Sequence, residues 1–314
     1  MTTTTQNTGN AARWLVLALF ALTMLLGGWS YQRWLNGLLA QKAATKDTAV
    51  FTYENEDSDD LVRMVATISN IDPLKGDMTV RLETSAEGKL VAEDGSLAQE
   101  VRILVNSVNG KAEYAFKKGE SIGPIEYTTS LDGGTFQYPN DRYKAYLEVF
   151  VTNPTWRDPH HSKDAAPDES LAVPIDVEGY TTAGGFTVSK AALTEVFDKG
   201  VAEFDEGEFR TVLQMERTAP VKLFARFILT LQWLLAISGL SVVLRVVIGG
   251  RKCELALFTW LTAMLFALPP MRNAMVGVPS IGIYVDFLGF LCAEGLVACS
   301  LAALVLTWHL RKAT

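Results

Sequence analysis

Cysteine is scarce in this chain, and its absence from the long acidic middle excludes a good deal. Only Cys253, Cys292 and Cys299 occur, all in or beside apolar runs in the last quarter of the 314 residues. A segment without cysteine has neither a disulfide framework nor a thiolate metal site, so its stability must come from an ordinary apolar core. Also missing are a Gly-rich phosphate loop, an HExxH pair, a nucleophile elbow and any metal-spaced Cys/His set. Carboxylates are plentiful, but no spacing pairs two of them for acid–base work. These absences argue against an enzyme and imply no cofactor. Basic charge is lacking where nucleic acid would need it: from Asp47 to Arg217 there are 32 of the 35 acids and 16 of the 28 bases, a net −16. A surface of that sign disfavours phosphate backbones and anionic surfaces, so no nucleic-acid partner is expected.

What the chain does have is four apolar stretches, one before the acidic segment and three after it: Trp14–Trp29, Val221–Ile248, Leu255–Leu268 and Ile281–Trp308. About 18 or more uncharged apolar residues suffice to cross a bilayer core as a helix. The layout predicts an α+β membrane protein with a cytoplasmic tail over 1–12, an anchor over 13–33, an extracytoplasmic domain over 47–217 and a three-helix bundle over 221–310. Lys and Arg favour the cytoplasmic ends of helices. An inside N-terminus puts Arg13, Arg245, Arg251, Lys252, Arg311 and Lys312 in the cytoplasm and the acidic domain outside. The expectation is therefore a multi-pass plasma-membrane protein with both termini cytoplasmic. Arg13 followed by Trp14–Leu26 also fits a secretory signal peptide, but no small-x-small site follows directly, and Trp29, Tyr31 and Trp34 suit an interfacial belt.

Strict alternation over residues 61–69 marks a half-buried strand, and the pattern returns at 78–83, 101–106, 113–116, 143–152, 171–177 and 209–216. Turn pairs separate the runs: Asp72-Pro73, Lys75-Gly76, Asp94-Gly95, Asn109-Gly110, Lys118-Gly119 and Asp132-Gly133-Gly134. Short strands at this spacing predict an antiparallel, Ig-like β-sandwich. Ser189–Lys199, stopped by Gly200, reads as a short helix. The last strand leads through Pro220 straight into the second apolar stretch, a stiff junction rather than a linker.

Several residues draw attention. Glu54, Glu56, Asp57, Asp59 and Asp60 offer oxygen ligands but lack the glycine and terminal Glu of a calcium loop, and read as a solvated face. His160 and His161, beside Asp158, Asp164 and Asp168, point to opposite sides of an extended chain and make a poor metal site. Tyr138-Pro139-Asn140-Asp141-Arg142-Tyr143 has the chemistry of a sandwich corner: Pro139 fixes the chain, Asp141 can accept local hydrogen bonds, and Tyr143 offers a ring and a hydroxyl. Tyr138, Asp141, Tyr143 and Arg272 are the candidates for coupling domain to bundle, through the Pro- and Gly-containing loop 269–282.

Within the membrane segments, Arg226 and Asp286 both lie roughly 8 Å below the outer boundary at 1.5 Å per residue, which predicts an ion pair across two helices. Glu294 lies roughly 20 Å down by the same measure, with no base at its depth. It is either a neutral carboxyl hydrogen-bonded to Gln232 or part of an ion or proton path. Gly295, Cys299 and Ala303 recur every four residues, a tight-packing face for another helix or another protein.

Ile71-Asp72-Pro73, Gly76–Leu82, the Tyr138–Tyr143 corner and Pro269-Pro270-Met271-Arg272 through Gly282 to Asp286 together resemble the actinobacterial-type membrane proteins grouped as domain of unknown function 4436. The resemblance spans most of the chain beyond the N-terminal tail; that family's corner more usually has Phe where Asn140 stands. It implies no catalytic residues. At the level of fold the corner is also similar to the Tyr/Phe-Pro-Phe-Asp corner of pentameric ligand-gated channels, which likewise set a β-sandwich before membrane helices. This chain differs in its N-terminal anchor, its three later helices and its lack of loop cysteines. Two functions follow as expectations. One is a non-enzymatic accessory or scaffold subunit of the cell envelope, with the bilayer and other membrane or envelope proteins, or itself, as partners. The other is a homo-oligomeric channel or sensor with Glu294 and Asp286 on a polar path.

Overall fold

The computed structural model describes residues 32–33, 36, 49–55, 58–153, 171–192, 204–205 and 207–311. The first apolar stretch, Glu56 and Asp57, the His160-His161 segment and residues 193–199 of the expected helix lie outside the described residues. From residue 49 onward the chain is one compact unit.

Its first part is β-rich. The strands are β1 (Phe51–Tyr53), β2 (Val62–Asp72), β3 (Asp77–Ala86), β4 (Val101–Val105), β5 (Glu113–Phe116) and β6 (Ile125–Gly133). They continue with β7 (Arg142–Asn153), β8 (Leu171–Ala172), β9 (Ile175–Thr181), β10 (Phe186–Ala191), β11 (Phe204–Asp205) and β12 (Glu208–Arg217). Alternation puts Val62, Met64, Ala66 and Ile68 of β2 into the core, facing Met78, Val80 and Leu82 of β3. The β2–β3 hairpin turns where Asp72 Oδ1 accepts from the amides of Leu74 (3.0 Å) and Lys75 (3.3 Å) and Gly76 takes φ +73°.

Two features depart from a wholly antiparallel Ig-like sandwich. β9 runs parallel to β2, Val62 opposite Ile175 through Ile68 opposite Thr181. And the strands form one continuous path, β1-β9-β2-β3-β6-β7-β12-β10, giving a nearly closed, barrel-like mixed sheet. The link is β6, whose residues 125–130 pair with β3 while Leu131–Gly133 pair with β7. Asp132-Gly133 is thus part of a strand and not a turn; Gly133, at φ +147°, lets the backbone pass where a Cβ would sit 2.6 Å from the Arg142 carbonyl. The run at 171–177 is split by Pro174, which cannot donate to a ladder. Ser189, Lys190 and Ala191, expected to be helical, pair with β12 instead, because Val188 and its neighbours complete the sheet edge beside Met215 and Leu213.

The second part is three apolar helices, α1 (Ala219–Val247), α2 (Leu255–Asn273) and α3 (Leu291–Leu310), the last preceded by a π-helical turn over Asp286–Phe290. Each is long and apolar enough to cross a membrane. Their shared core holds Ala236, Val243, Leu261, Met264, Ala293, Val297 and Leu304. A separate cluster joins the two parts: Tyr138 of the β-domain packs with Ala225 and Ile228 of α1 and with Met275 and Ile283 of the α2–α3 loop.

Candidate functional site

The junction is built from the corner between β6 and β7. Residues 138–141 are held by the amides of Tyr138 and Asn140, which donate to the carbonyls of Thr135 (3.1 Å) and Gln137 (2.8 Å); the Tyr138–Pro139 bond is cis. This turn buries Tyr138 and Asp141 completely. Asp141 Oδ2 accepts from the Tyr143 hydroxyl at 2.5 Å and from Arg217 Nε at 3.1 Å, and its Oδ1 lies 3.3 Å from the same Nε. Arg217 is the last residue of β12, and its guanidinium lies over the rings of Phe186 (4.6 Å) and Tyr138 (5.2 Å). A buried cation between two ring faces and a carboxylate has its charge compensated on each of those sides.

The corner then reaches the apolar helices. The Tyr138 hydroxyl donates to the Val276 carbonyl at 3.0 Å, and Gly277, at φ +61°, brings its backbone so close that a Cβ would lie 2.5 Å from Arg217 Nη1. Burial pushes the Tyr138 hydroxyl up to about 12, with the Arg217 charge opposing. Tyr143 is raised further, first by burial and then by its bond to Asp141. At the rim, Arg142 and Lys222 pair with Glu216 at 2.9 Å and 3.1 Å; Glu216 is held below the usual carboxylate range chiefly by the Lys222 bond.

The predicted Arg226–Asp286 pair does not form. Asp286 pairs with Arg272 instead, Nε to Oδ1 and Nη2 to Oδ2, both at 2.9 Å, and Oδ2 also accepts from the amides of Gly282 (2.9 Å) and Ile283 (3.2 Å). The reason is α2, which runs on through Pro269-Pro270 and carries Arg272 into the bundle, where a loop was expected. Gln232 Nε2 donates to the Leu268 carbonyl at 3.1 Å, tying α1 to that proline-containing turn. Arg226 is exposed, and its Nη2 donates to Asn140 Oδ1 at 3.0 Å.

Deeper in the bundle, Gln232 is fully buried and its Oε1 has no hydrogen-bond partner, while Glu294 is half-buried and without hydrogen bond or ion pair among the described residues. The predicted Gln232–Glu294 hydrogen bond is not formed. The small residues of α3 divide between faces: Ala293 is buried, whereas Gly295 and Cys299 are exposed, with nothing within 4 Å of a Cβ built at Gly295.

In the acidic segment, Asp60 binds the Lys89 amide (2.7 Å) and Nζ (2.9 Å), which hold its carboxyl low. Glu54 and Asp59 line a polar cavity of about 440 Å³ with Arg63 and Asp176. Among the described residues no three His, Cys, Asp or Glu side chains are grouped to hold a metal ion.

Of the four coupling candidates, the structure places Tyr138, Asp141 and Tyr143 together at the junction and Arg272 inside the bundle on Asp286, and the sequence alone did not single out Arg217, Phe186 or the Val276-Gly277 backbone. A lone Arg closing the last strand before Thr218-Ala219-Pro220 was the signal available for Arg217.

Residues 52–197 match the model of Domain of unknown function (DUF4436), the family whose residues the sequence resembles. Residues 217–311 match another model, Domain of unknown function (DUF8686), so the two matches divide the chain between the β-domain and the three helices. No curated protein matches the chain.

Proposed function

We propose that this two-part chain is a non-enzymatic, multi-pass cell-envelope membrane protein that serves as a scaffold or accessory subunit, holding partner proteins by its β-domain and its last helix. The observation that carries this reading is the junction. β12 passes into α1 across Thr218 alone, and the Glu216–Lys222 ion pair and the Tyr138–Val276 bond join the domain to the bundle. A domain so fixed presents its surface at a constant position relative to the membrane, which is what a scaffold requires. The Gly295–Cys299 face of α3, exposed among the described residues, offers a close-packing surface for a partner's helix. In this reading the first apolar stretch is a fourth crossing, the β-domain lies outside, and both termini are cytoplasmic, as the distribution of Lys and Arg favours.

A second reading rests on Glu294. An ionisable residue without a partner inside a membrane segment is a mark of an ion or proton path. It needs several copies, because three helices with no visible repeat enclose no transporter core. Asp286 contributes only if it leaves Arg272, since both its oxygens are engaged.

Purification from the native membrane in mild detergent, followed by mass and composition of the complex, decides between them. A stoichiometric foreign partner supports the scaffold. A symmetric homo-oligomer alone removes it and directs attention to Glu294→Gln, which must abolish a pH-dependent flux if the path exists.

A further inference from the structure

The end of the bundle away from the β-domain concentrates basic charge. Arg245 lies in the last turn of α1, and Arg251 and Lys252 in the turn to α2; all three are exposed and make no hydrogen bond or ion pair through their side chains among the described residues. Arg311, just past α3, draws the group together: its Nη1 donates to the Arg251 carbonyl at 2.6 Å and its Nη2 to the Val246 carbonyl at 2.5 Å. One guanidinium thus ties the end of α3 to the end of α1 and to the connecting turn, so the four basic residues belong to the same end of the bundle. Glu254 is the one acid in this turn and pairs with none of them. Around the cations stand exposed apolar side chains, Ile248, Leu255, Trp308 and Leu310.

Basic groups ringed by apolar ones at the end of a helix bundle match the level where acyl chain meets phosphate. We propose that Arg245, Arg251, Lys252 and Arg311 form a binding site for the phosphate diester headgroup of an anionic lipid. Arg supplies a planar fork for phosphate oxygens and Lys a point charge. The apolar side chains flank the acyl chains, which a free phosphate would leave uncovered. The site rests on the membrane-spanning reading, and it holds for whichever leaflet this end meets.

The test uses full-length protein reconstituted in vesicles of phosphatidylcholine with phosphatidylglycerol, followed by mass spectrometry of the lipids that stay bound. At about fivefold per basic residue near the surface, three free cations predict roughly a hundredfold preference for phosphatidylglycerol. Arg245→Gln, Arg251→Gln and Lys252→Gln together should remove it, and each alone should lower it about fivefold, which keeps the test open should the triple variant not fold. Arg63→Gln with Lys75→Gln, on the β-domain, should leave it intact. No preference in the unaltered protein, or one that survives the triple change, overturns the site. Saturable binding of inorganic phosphate in detergent without any lipid preference overturns it as well, in favour of a free anion. Failure to float with the vesicles at all would instead remove the membrane-spanning reading itself.

Discussion

At the scale of single residues, the junction depends on a few buried polar groups whose partners are fixed. Asp141 is fully buried with Arg217 and the Tyr143 hydroxyl on it, and removing one member of such a pair leaves a charge with no solvent. Asp141→Asn should therefore lower stability by about 3–5 kcal/mol, read as a lowered unfolding midpoint in detergent. Tyr138→Phe keeps the ring under Arg217 and loses only the bond to the Val276 carbonyl, so its cost should be about 1 kcal/mol. The same hydroxyl gives a pH signature. Its value is raised from about 10 to about 12, so its contribution is whole below pH 10 and is lost as pH rises through 12. Tyrosinate absorbance during an alkaline titration should show several late-ionising groups, one fewer in Tyr138→Phe. The corner motif was legible because Tyr-Pro-Asn-Asp-Arg-Tyr is local chemistry. Arg217 was not, because its partner lies 76 residues away and only the β7–β12 pairing brings them together.

At the scale of elements, what matters is how chain breakers are used. Pro269 and Pro270 bring no N–H to the carbonyls four residues back, and from sequence they end a helix. In the bundle α2 nevertheless continues past both prolines, with Gln232 of the neighbouring helix on the Leu268 carbonyl, far enough to bury Arg272 against Asp286. A one-sided change there, Asp286→Ala, should cost about 3–5 kcal/mol, whereas Arg272→Leu with Asp286→Leu should recover most of it, because an apolar pair carries no desolvation penalty. Comparing the midpoints of the single and double variants checks this. Gly277 shows the opposite use of a special residue. Its positive φ and its closeness to Arg217 let the α2–α3 loop touch the end of β12. Gly277→Ala should lower the midpoint by the equivalent of about 1–3 kcal/mol of backbone strain, with some displacement of the guanidinium besides.

At the scale of the molecule, the β-domain and the bundle share an apolar cluster around Tyr138 and the Glu216–Lys222 ion pair at the strand-to-helix passage. Thermal unfolding in detergent should accordingly give a single transition by tyrosine and by helix signals, and Arg217→Leu should separate the two. Composition and alternation alone were enough for the order of parts, the cysteine-free apolar core, most strand positions and the three apolar helices, since burial patterns and helix length are written in neighbouring residues. Which strands pair, the parallel placing of β9, the passage of β6 into β7 and the choice of Arg272 over Arg226 as the cation for Asp286 were decided only by the tertiary structure. Each of these turns on residues far apart in sequence competing for the same partner, and the winner is set by the geometry of the packed chain.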